Sequence, residues 1–200
     1  MNYQDIIERI YHQVKSYEDT GKIATYIPEL SKVDVDNFGI HLTTIDNKQF
    51  GFGDNVTPFS IQSISKVLSL VMAYKLQGED LWKRLDVEPS GSPFNSLVQL
   101  EAENGIPRNP FINAGALVIC DIIMSEYKDP KKEFLNFVRE LSNNQHLNYA
   151  PKVVASEKSV GFRNVALCNF IKSFGNIKNT PEDVLDFYFH LCSIEMSCKE

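Results

Sequence analysis

One stretch of the chain alternates in the manner of a β-hairpin, and this limits the possible folds more than any other feature. Within residues 37–53, apolar side chains recur at every second position on both sides of Asp46-Asn47-Lys48. That period is typical of two short strands joined by a tight turn. A lone hairpin is not stable as a sheet, and no convincing strand follows residue 53. We therefore expect a sheet that needs further strands, combined with a body made of helices.

Helical spacing of apolar residues covers most of the rest of the chain. It predicts a helix over 3–18 and a mostly helical run after Ser60. Asn113 begins one of these helices with a good N-cap residue, and Thr180-Pro181-Glu182-Asp183 is typical of a helix start. The segment 60–77 carries one apolar face, formed by Val67, Leu68, Leu70, Val71 and Tyr74. These patterns predict two parts of the chain. Residues 1–59 hold a helix and the hairpin, and residues 60–200 hold the remaining helices.

Composition excludes several classes of partner. The chain has 43% hydrophobic and 23% charged residues, which is ordinary for a globular protein. Its formal charge of −6 and the absence of a basic run argue against nucleic acid. The N-terminus lacks the pattern of a signal peptide, and no apolar run is long enough to cross a bilayer. These features predict a cytoplasmic protein that binds neither nucleic acid nor membrane.

The cysteines and histidines do not form a recognisable metal site. No Cys-x-x-Cys pair occurs, and the four histidines are scattered at positions 12, 41, 146 and 190. Cys120, Cys168 and Cys192 lie in apolar helical runs, whereas Cys198 is near the end of the chain. We expect reduced, mostly buried thiols and no metal.

A Ser-x-x-Lys motif, Ser63-Ile64-Ser65-Lys66, lies at the head of the segment 60–77. On a helix, residues three apart share a face, so the Ser63 hydroxyl and the Lys66 amine could meet. A neutral lysine could then remove the serine proton, provided that burial lowers the lysine pKa. The motif alone is weak evidence, because a serine at a helix start is usually an N-cap.

Four other segments hold polar residues in unusual places. Each residue has an ordinary interpretation by itself, as a cap, a surface side chain or a core tyrosine. The segments are 25–30 around Tyr26, 109–116 around Asn113, 156–164 with Glu157 and Asn164, and 186–195 around Tyr188. Together with 59–66, this ordered set resembles the serine-dependent glutaminases of the β-lactamase-like superfamily, from about Tyr26 to Glu195.

The resemblance implies a fold and an activity. The fold is of the α+β class and β-lactamase-like, with an antiparallel sheet flanked by helices and an all-helical subdomain. The implied reaction is hydrolysis of L-glutamine to L-glutamate and ammonia, without a metal or an organic cofactor. Members of the family form dimers and tetramers, so a homo-oligomer is expected.

Site residues follow from the matching motifs. The resemblance implies Ser63 as the nucleophile, Lys66 as the general base and Tyr26 as an active-site tyrosine. It implies substrate contacts for Ser63 and five further residues, namely Gln62, Asn113, Glu157, Asn164 and Tyr188. An acid suits the α-ammonium of an amino acid, and amide donors suit its α-carboxylate. Arg163, Asp186 and Glu195 also fit the motifs, and we expect structural roles for them.

Two alternatives remain open at this point. One is a penicillin-recognising relative, although Ser-Asp-Asn is absent from the sequence. The other is a non-catalytic helical binding module of the same fold. The family continues past the position that matches Glu200, with strands, a second tyrosine and part of the oxyanion hole. We therefore expect residues 1–200 alone to be inactive and prone to aggregation.

Overall fold

A computed structural model describes residues 2–17 and 20–200 of the chain. The strands are β1 Gly39–Thr43, β2 Gln49–Gly53, β3 Phe59–Ser60 and β4 Glu195–Met196. The α-helices are α1 Tyr3–Lys15, α2 Ser65–Gln77, α3 Val98–Ala102, α4 Asn113–Glu126, α5 Pro130–Ser142, α6 Pro151–Val160, α7 Phe162–Ser173 and α8 Pro181–Cys192. Helices together with antiparallel strands confirm the predicted α+β class.

Two compact units make up the structure. The first runs from the N-terminus to Ser60 and includes Glu195–Glu200, and the second is Ile61–Ile194. The last six residues thus belong with the hairpin unit, because β4 pairs with β3.

In the first unit, α1 packs on the hairpin through aromatic side chains. The Asn2 side chain caps the helix by accepting from the backbone N–H of Asp5. The Tyr11 ring stacks on Phe38 with 5.2 Å between centroids and meets the edge of Phe52 at 5.0 Å. The helix predicted over 3–18 is confirmed for Tyr3–Lys15, and Glu18 lies outside the described residues.

The hairpin has the predicted position and turn. Strands β1 and β2 are antiparallel, with Ile40 opposite Phe52 and Leu42 opposite Phe50. Asn47 adopts φ 60°, which asparagine tolerates better than most residues because its short side chain bonds locally. The prediction of a hairpin from the alternating pattern is therefore confirmed.

The expectation that no strand follows residue 53 is wrong. The two-residue strands β3 and β4 pair antiparallel, with Phe59 opposite Met196 and Ser60 opposite Glu195. Two residues are too few to show an alternation, so the pattern of the sequence could not reveal them. Only the approach of two segments about 135 residues apart along the chain creates this pair.

In the second unit, α4 is the central helix. It packs against α2, α7 and α8. Most of its length is fully buried, including Leu117, Ile119 and Ile122 at 0% exposure. A helix that is apolar on all sides has to be covered on all sides, and this composition explains its central place.

The apolar face predicted for α2 is not the face that the chain buries. Val67, Val71 and Tyr74 are 50%, 44% and 42% exposed. The buried positions of this helix are Ser65, Lys66, Ser69, Met72 and Ala73. Helix α2 therefore turns a partly polar face, which includes Lys66, towards the interior of its unit.

The two predicted helix starts have different outcomes. At α8 the Thr180 side chain accepts from the Asp183 N–H, with Pro181 at the first helical position, as predicted. At α4 the N-cap is Ile112, and the prediction that Asn113 caps this helix is wrong. The preceding turn is held instead by the Asn109 side-chain oxygen, which accepts from the N–H groups of Phe111 and Ile112. The Asn113 amide is thereby left for other contacts.

Three of the four thiols are buried, as predicted: Cys120, Cys168 and Cys192. Cys198 is exposed. None of the helices formed by residues 2–17 and 20–200 combines the length and hydrophobicity needed to cross a bilayer.

Candidate active site

A strained turn comes immediately before α2. Residues Gln62–Ile64 form a 3-10 turn, and Gln62 adopts φ 47°, in the left-handed region. Such a conformation is uncommon for a residue with a side chain and persists only where the surroundings hold it. The Ile61 N–H donates to the carbonyl of Ile194, two residues after α8, at 2.9 Å, which ties the start of the turn to the segment that follows α8. Ser63 follows Gln62 and is exposed.

Lys66 is buried, with only 5% of its surface exposed. Its Nζ donates to the Phe111 carbonyl at 3.0 Å and to Asn113 Oδ1 at 2.7 Å. Burial lowers the pKa of Lys66 and outweighs the opposite effect of the Cys192 and Cys120 thiols. The lysine therefore has the environment that a neutral amine requires.

The sequence predicts that Ser63 and Lys66 lie close together on one helix face, but no direct hydrogen bond joins the two side chains among the described residues. Within the described residues, the hydrogen bonds of Lys66 Nζ go to Phe111 and Asn113, and none joins it to the Ser63 hydroxyl. Ser63 lies in the 3-10 turn rather than in α2, so the helical spacing assumed from the sequence does not apply to it.

Two asparagines join α4 to α7. Asn113 Nδ2 donates to Asn164 Oδ1 at 2.9 Å, while Asn113 Oδ1 accepts from Lys66. A chain of hydrogen bonds thus runs from Lys66 through Asn113 to Asn164. Because the Asn164 oxygen accepts in this chain, its NH₂ group is directed elsewhere as a donor.

Glu157 is a buried acid on α6, 6% exposed. Its Oε1 is buried without a hydrogen-bond partner among the described residues. Burial raises the pKa of Glu157, and a hydrogen bond with the Gln62 side chain lowers it in part. A buried carboxyl oxygen without a donor is unfavourable, and it is the natural place for a cationic ligand.

Tyr188 lies on α8 and is 4% exposed. Burial raises its pKa well above the ordinary value, and the Cys192 thiol and Glu157 add to the effect. The phenol therefore stays protonated and can donate a hydrogen bond. Tyr188 interacts with Glu157 and with the Cys192 thiol, and Cys192 also interacts with Lys66 and Ser65. Together with Asn113 and Asn164, which Lys66 joins through hydrogen bonds, these side chains form one polar cluster.

The second unit thus contains seven of the eight residues predicted for the site, namely Gln62, Ser63, Lys66, Asn113, Glu157, Asn164 and Tyr188. Tyr26 belongs to the first unit, in a loop between α1 and β1, and is 70% exposed.

Three groups of the cluster were missed by sequence reasoning. The Phe111 carbonyl accepts from Lys66, and its side chain gives no hint of this because the contact is made by backbone. Ser65 is 1% exposed and its Oγ donates to the Gln62 carbonyl at 2.7 Å. The Cys192 thiol interacts with the Ser65 and Tyr188 side chains. Ser65 lies inside the Ser-x-x-Lys motif, which was the one available signal.

A structural role was predicted for Asp186, and its side chain forms ion pairs. Its carboxylate pairs with Lys131 of α5 and Lys158 of α6. Burial would raise the pKa of Asp186, but the hydrogen bonds from these two lysines outweigh it, and the pKa is lowered. The pairs hold α5 and α6 against α8, next to the position of Glu157.

Comparison with known proteins places these features in one family. The glutaminase family model matches residues 21–200. A glutaminase of Christiangramia forsetii is 58% identical over 200 residues, which are 100% of this chain and 66% of that protein. A glutaminase of Saccharophagus degradans is 52% identical over 100% of this chain and 65% of its own length. The chain spans about two thirds of the length of these curated relatives.

Solved structures agree in fold. The probable glutaminase ybaS superposes with a TM-score of 0.91 at 28% identity, over 97% of this chain and 63% of that one. Mglu in its glutamate form superposes with a TM-score of 0.89 at 26% identity, over 98% of this chain and 45% of that one. The family match over nine tenths of the chain, the identity to curated relatives and the shared fold lead to one conclusion: this chain belongs to the glutaminase family.

Proposed function

We propose that the protein carrying this chain hydrolyses the side-chain amide of L-glutamine to give L-glutamate and ammonia. Membership of the glutaminase family supports the reaction class. The observation that carries the proposal is the buried Glu157 Oε1, which has no hydrogen-bond partner among the described residues. It lies in a cluster that also offers amide donors and a buried lysine. A free amino acid has an ammonium group for the acid and a carboxylate for the amides.

Recognition of the two charged ends is divided between α6 and the asparagine pair. The substrate ammonium donates to Glu157, which ionises as the cation arrives. The α-carboxylate accepts from the Asn164 NH₂ group and from the second N–H of Asn113. A relative of the same fold, Mglu, has a structure described as an L-glutamate binding form, which supports a site for this class of ligand.

The chemical step uses Ser63 and Lys66. The Ser63 oxygen attacks the side-chain amide carbon while Lys66 takes the hydroxyl proton, and the lysine then returns this proton to the departing ammonia. Water attacks the resulting glutamyl ester and frees Ser63. The lowered pKa of Lys66 supports a neutral base. Hydrogen bonds between catalytic groups are often loose before substrate binds, which is compatible with the missing Ser63–Lys66 bond.

The remaining assignments belong to the same proposal. Gln62 contacts the bound substrate, and Tyr188 donates to it, since the Tyr188 phenol stays protonated. Tyr26 acts at the serine, as its match to the family motif implies. No metal or organic cofactor takes part in these steps. The predictions of a homo-oligomer, dimeric or tetrameric, and of a cytoplasmic location stay predictions.

The test is release of glutamate and ammonia from L-glutamine, with L-asparagine and a penicillin as control substrates. It is run on the product of the full reading frame and on its Ser63→Ala variant. We expect turnover of glutamine that is lost in Ser63→Ala, and little or no turnover of the controls. A folded full-length product without glutamine turnover would favour the binding-module alternative. Turnover of the penicillin would favour the penicillin-recognising one.

A further inference from the structure

The turn at Gln62 combines a strained backbone with a position next to the proposed nucleophile Ser63. Gln62 has φ 47°, although it is not a glycine. A left-handed residue turns the chain so that the next side chain points in a direction that a regular helix would not give it. Ser63 is that next residue, and it is exposed whereas Ser65 and Lys66 are buried.

Ser65 lies where it can hold this turn. Its Oγ donates to the Gln62 carbonyl at 2.7 Å, and its backbone N–H also donates to that carbonyl. The hydroxyl group is also in contact with the Cys192 thiol of α8. With 1% of its surface exposed, Ser65 has no room to adopt another arrangement without disturbing its neighbours. The Ser65 side chain thus links the strained peptide to both α2 and α8.

Ser69 makes the same kind of hydrogen bond as Ser65, but to a carbonyl of regular helical backbone. It lies one turn further along α2, is also 1% exposed, and its Oγ donates to the Lys66 carbonyl at 3.1 Å. Bonds of this kind, from a serine to a carbonyl one turn earlier, are common in helices and have little effect on their own. The difference is the acceptor, which for Ser65 is the carbonyl of a left-handed residue.

We propose that Ser65 is a positioning residue, whose hydroxyl fixes the Gln62 carbonyl and thereby aims the Ser63 hydroxyl at the bound amide. The inference rests on the proposed function, because Ser63 must be the nucleophile. Ser65 itself touches neither the substrate nor the reacting atoms. Without its hydroxyl, the turn relaxes towards ordinary helical geometry and Ser63 moves with it.

The test compares Ser65→Ala, Ser65→Thr and Ser69→Ala in the product of the full reading frame. For Ser65→Ala we expect kcat to fall roughly 10- to 100-fold with KM changed less than about twofold, because a small misplacement of a nucleophile is costly while binding groups stay in place. Ser65→Thr keeps a hydroxyl and should recover most of kcat. Ser69→Ala removes an equally buried hydroxyl and should leave kcat within about twofold.

A second readout does not depend on glutamine. A fluorophosphonate reacts with activated serines, and the rate at which it labels Ser63, located by mass spectrometry, should fall in Ser65→Ala but not in Ser69→Ala. Equal losses in the two alanine variants would overturn the positioning role, as would no labelling of Ser63 in the parent protein. Normal labelling of the parent without glutamine turnover would contradict the proposed substrate instead, and the labelling rates of the variants would still decide the role of Ser65.

Discussion

At the scale of single residues, the candidate site is defined by two ionisable groups that are driven towards their neutral forms. Burial lowers the pKa of Lys66 and raises that of Glu157. The physical cause is the same in both, since removing a charge from water is unfavourable. The functional consequences differ. A neutral lysine can accept a proton as a base, whereas a neutral buried acid ionises when a cationic ligand binds beside it.

The pH dependence of kcat/KM should report Lys66. Its neutral form grows as pH rises through its pKa, which lies below the ordinary value of 10.5, so kcat/KM should increase over that range. Lys66→Met should lower kcat/KM by about 10²- to 10⁴-fold. The exposed Lys75 on the same helix provides the control, because Lys75→Met should change neither the rate nor the profile. Steady-state kinetics between pH 6 and 10 measures all three proteins, and an unaltered profile in Lys66→Met would exclude Lys66 as the base.

Glu157→Gln should weaken the binding of glutamine and at the same time stabilise the fold. The variant should raise KM for glutamine, since the ammonium loses its ionic partner. In the ligand-free protein the same change should stabilise the fold at neutral pH, by about 1–3 kcal/mol, because a buried carboxyl oxygen that has no hydrogen-bond donor is replaced.

The sign of the pH effect follows from the raised pKa of Glu157. The folded state holds the proton more tightly than the unfolded state, whose value is near 4.5. Stability of the parent protein relative to Glu157→Gln should therefore decrease as pH rises above about 4.5, until the folded-state pKa is passed. Urea denaturation between pH 4 and 8 measures this difference. A gap that widens towards low pH would contradict the assignment.

At the scale of elements, the central helix α4 is fastened by one buried acid. Asp121 is fully buried and accepts from the backbone N–H groups of Lys178 and Asn179. It also pairs with Arg84 at 2.5 Å. Burial would raise the pKa of Asp121, and these hydrogen bonds outweigh it and lower the pKa. Through this side chain, α4 holds the segment that leads into α8 and therefore the helix that carries Tyr188.

Asp121→Ala should be strongly destabilising. It removes the carboxylate from the ion pair with Arg84 and from the N–H groups of Lys178 and Asn179, and we expect a loss of about 3–5 kcal/mol in the free energy of unfolding. Asp80→Ala removes an exposed acid from a surface pair with Lys83 and should change stability by less than about 1 kcal/mol. Chemical denaturation of both variants gives the comparison. The contribution of Asp121 to the free energy of unfolding should also decrease as pH falls through its lowered pKa. Near-equal stabilities of the two variants at pH 7 would show that Asp121 does not fasten α4.

At the scale of the whole molecule, the chain forms two units, and the first of them is not continuous in sequence. The end of the chain returns to the hairpin unit, where β4 pairs with β3. Regions that open together in a native protein often coincide with such units. The division is therefore expected to appear in the exchange of backbone amides.

Met196→Pro tests this division. Proline removes the N–H of Met196 from the β3–β4 pair, so the amide of Phe59 in the first unit should exchange about tenfold faster or more. Amides of α4 in the second unit should keep their protection. Met196→Ala keeps the N–H and serves as the control for loss of the side chain. Hydrogen exchange followed by mass spectrometry provides the measurement, and a uniform loss of protection in both units would contradict the division.

Much of the fold was accessible from local patterns. Strict alternation predicted the hairpin, helical spacing predicted α1, and the Thr180-Pro181 start predicted α8. These signals work because period and capping chemistry act over a few neighbouring residues. The order of the polar motifs likewise indicates the family, and the family model agrees.

Other features depend on residues far apart in the chain, and no local pattern encodes them. Asn113 is a good capping residue by type, yet Asn109 holds the turn before α4 and leaves the Asn113 amide to Lys66 and Asn164. The buried side of α2 is the partly polar one, because its neighbour α4 covers it.

By itself, the sequence determined the hairpin, the first helix, the start of α8 and which family the chain joins. The tertiary structure alone decided which face of α2 is buried, that Gln62 is left-handed, and that Glu157 Oε1 lies buried without a hydrogen-bond donor among the described residues. The physical reason is that burial and the supply of hydrogen-bond partners are set by packing between elements, and these two properties create the chemistry of the site.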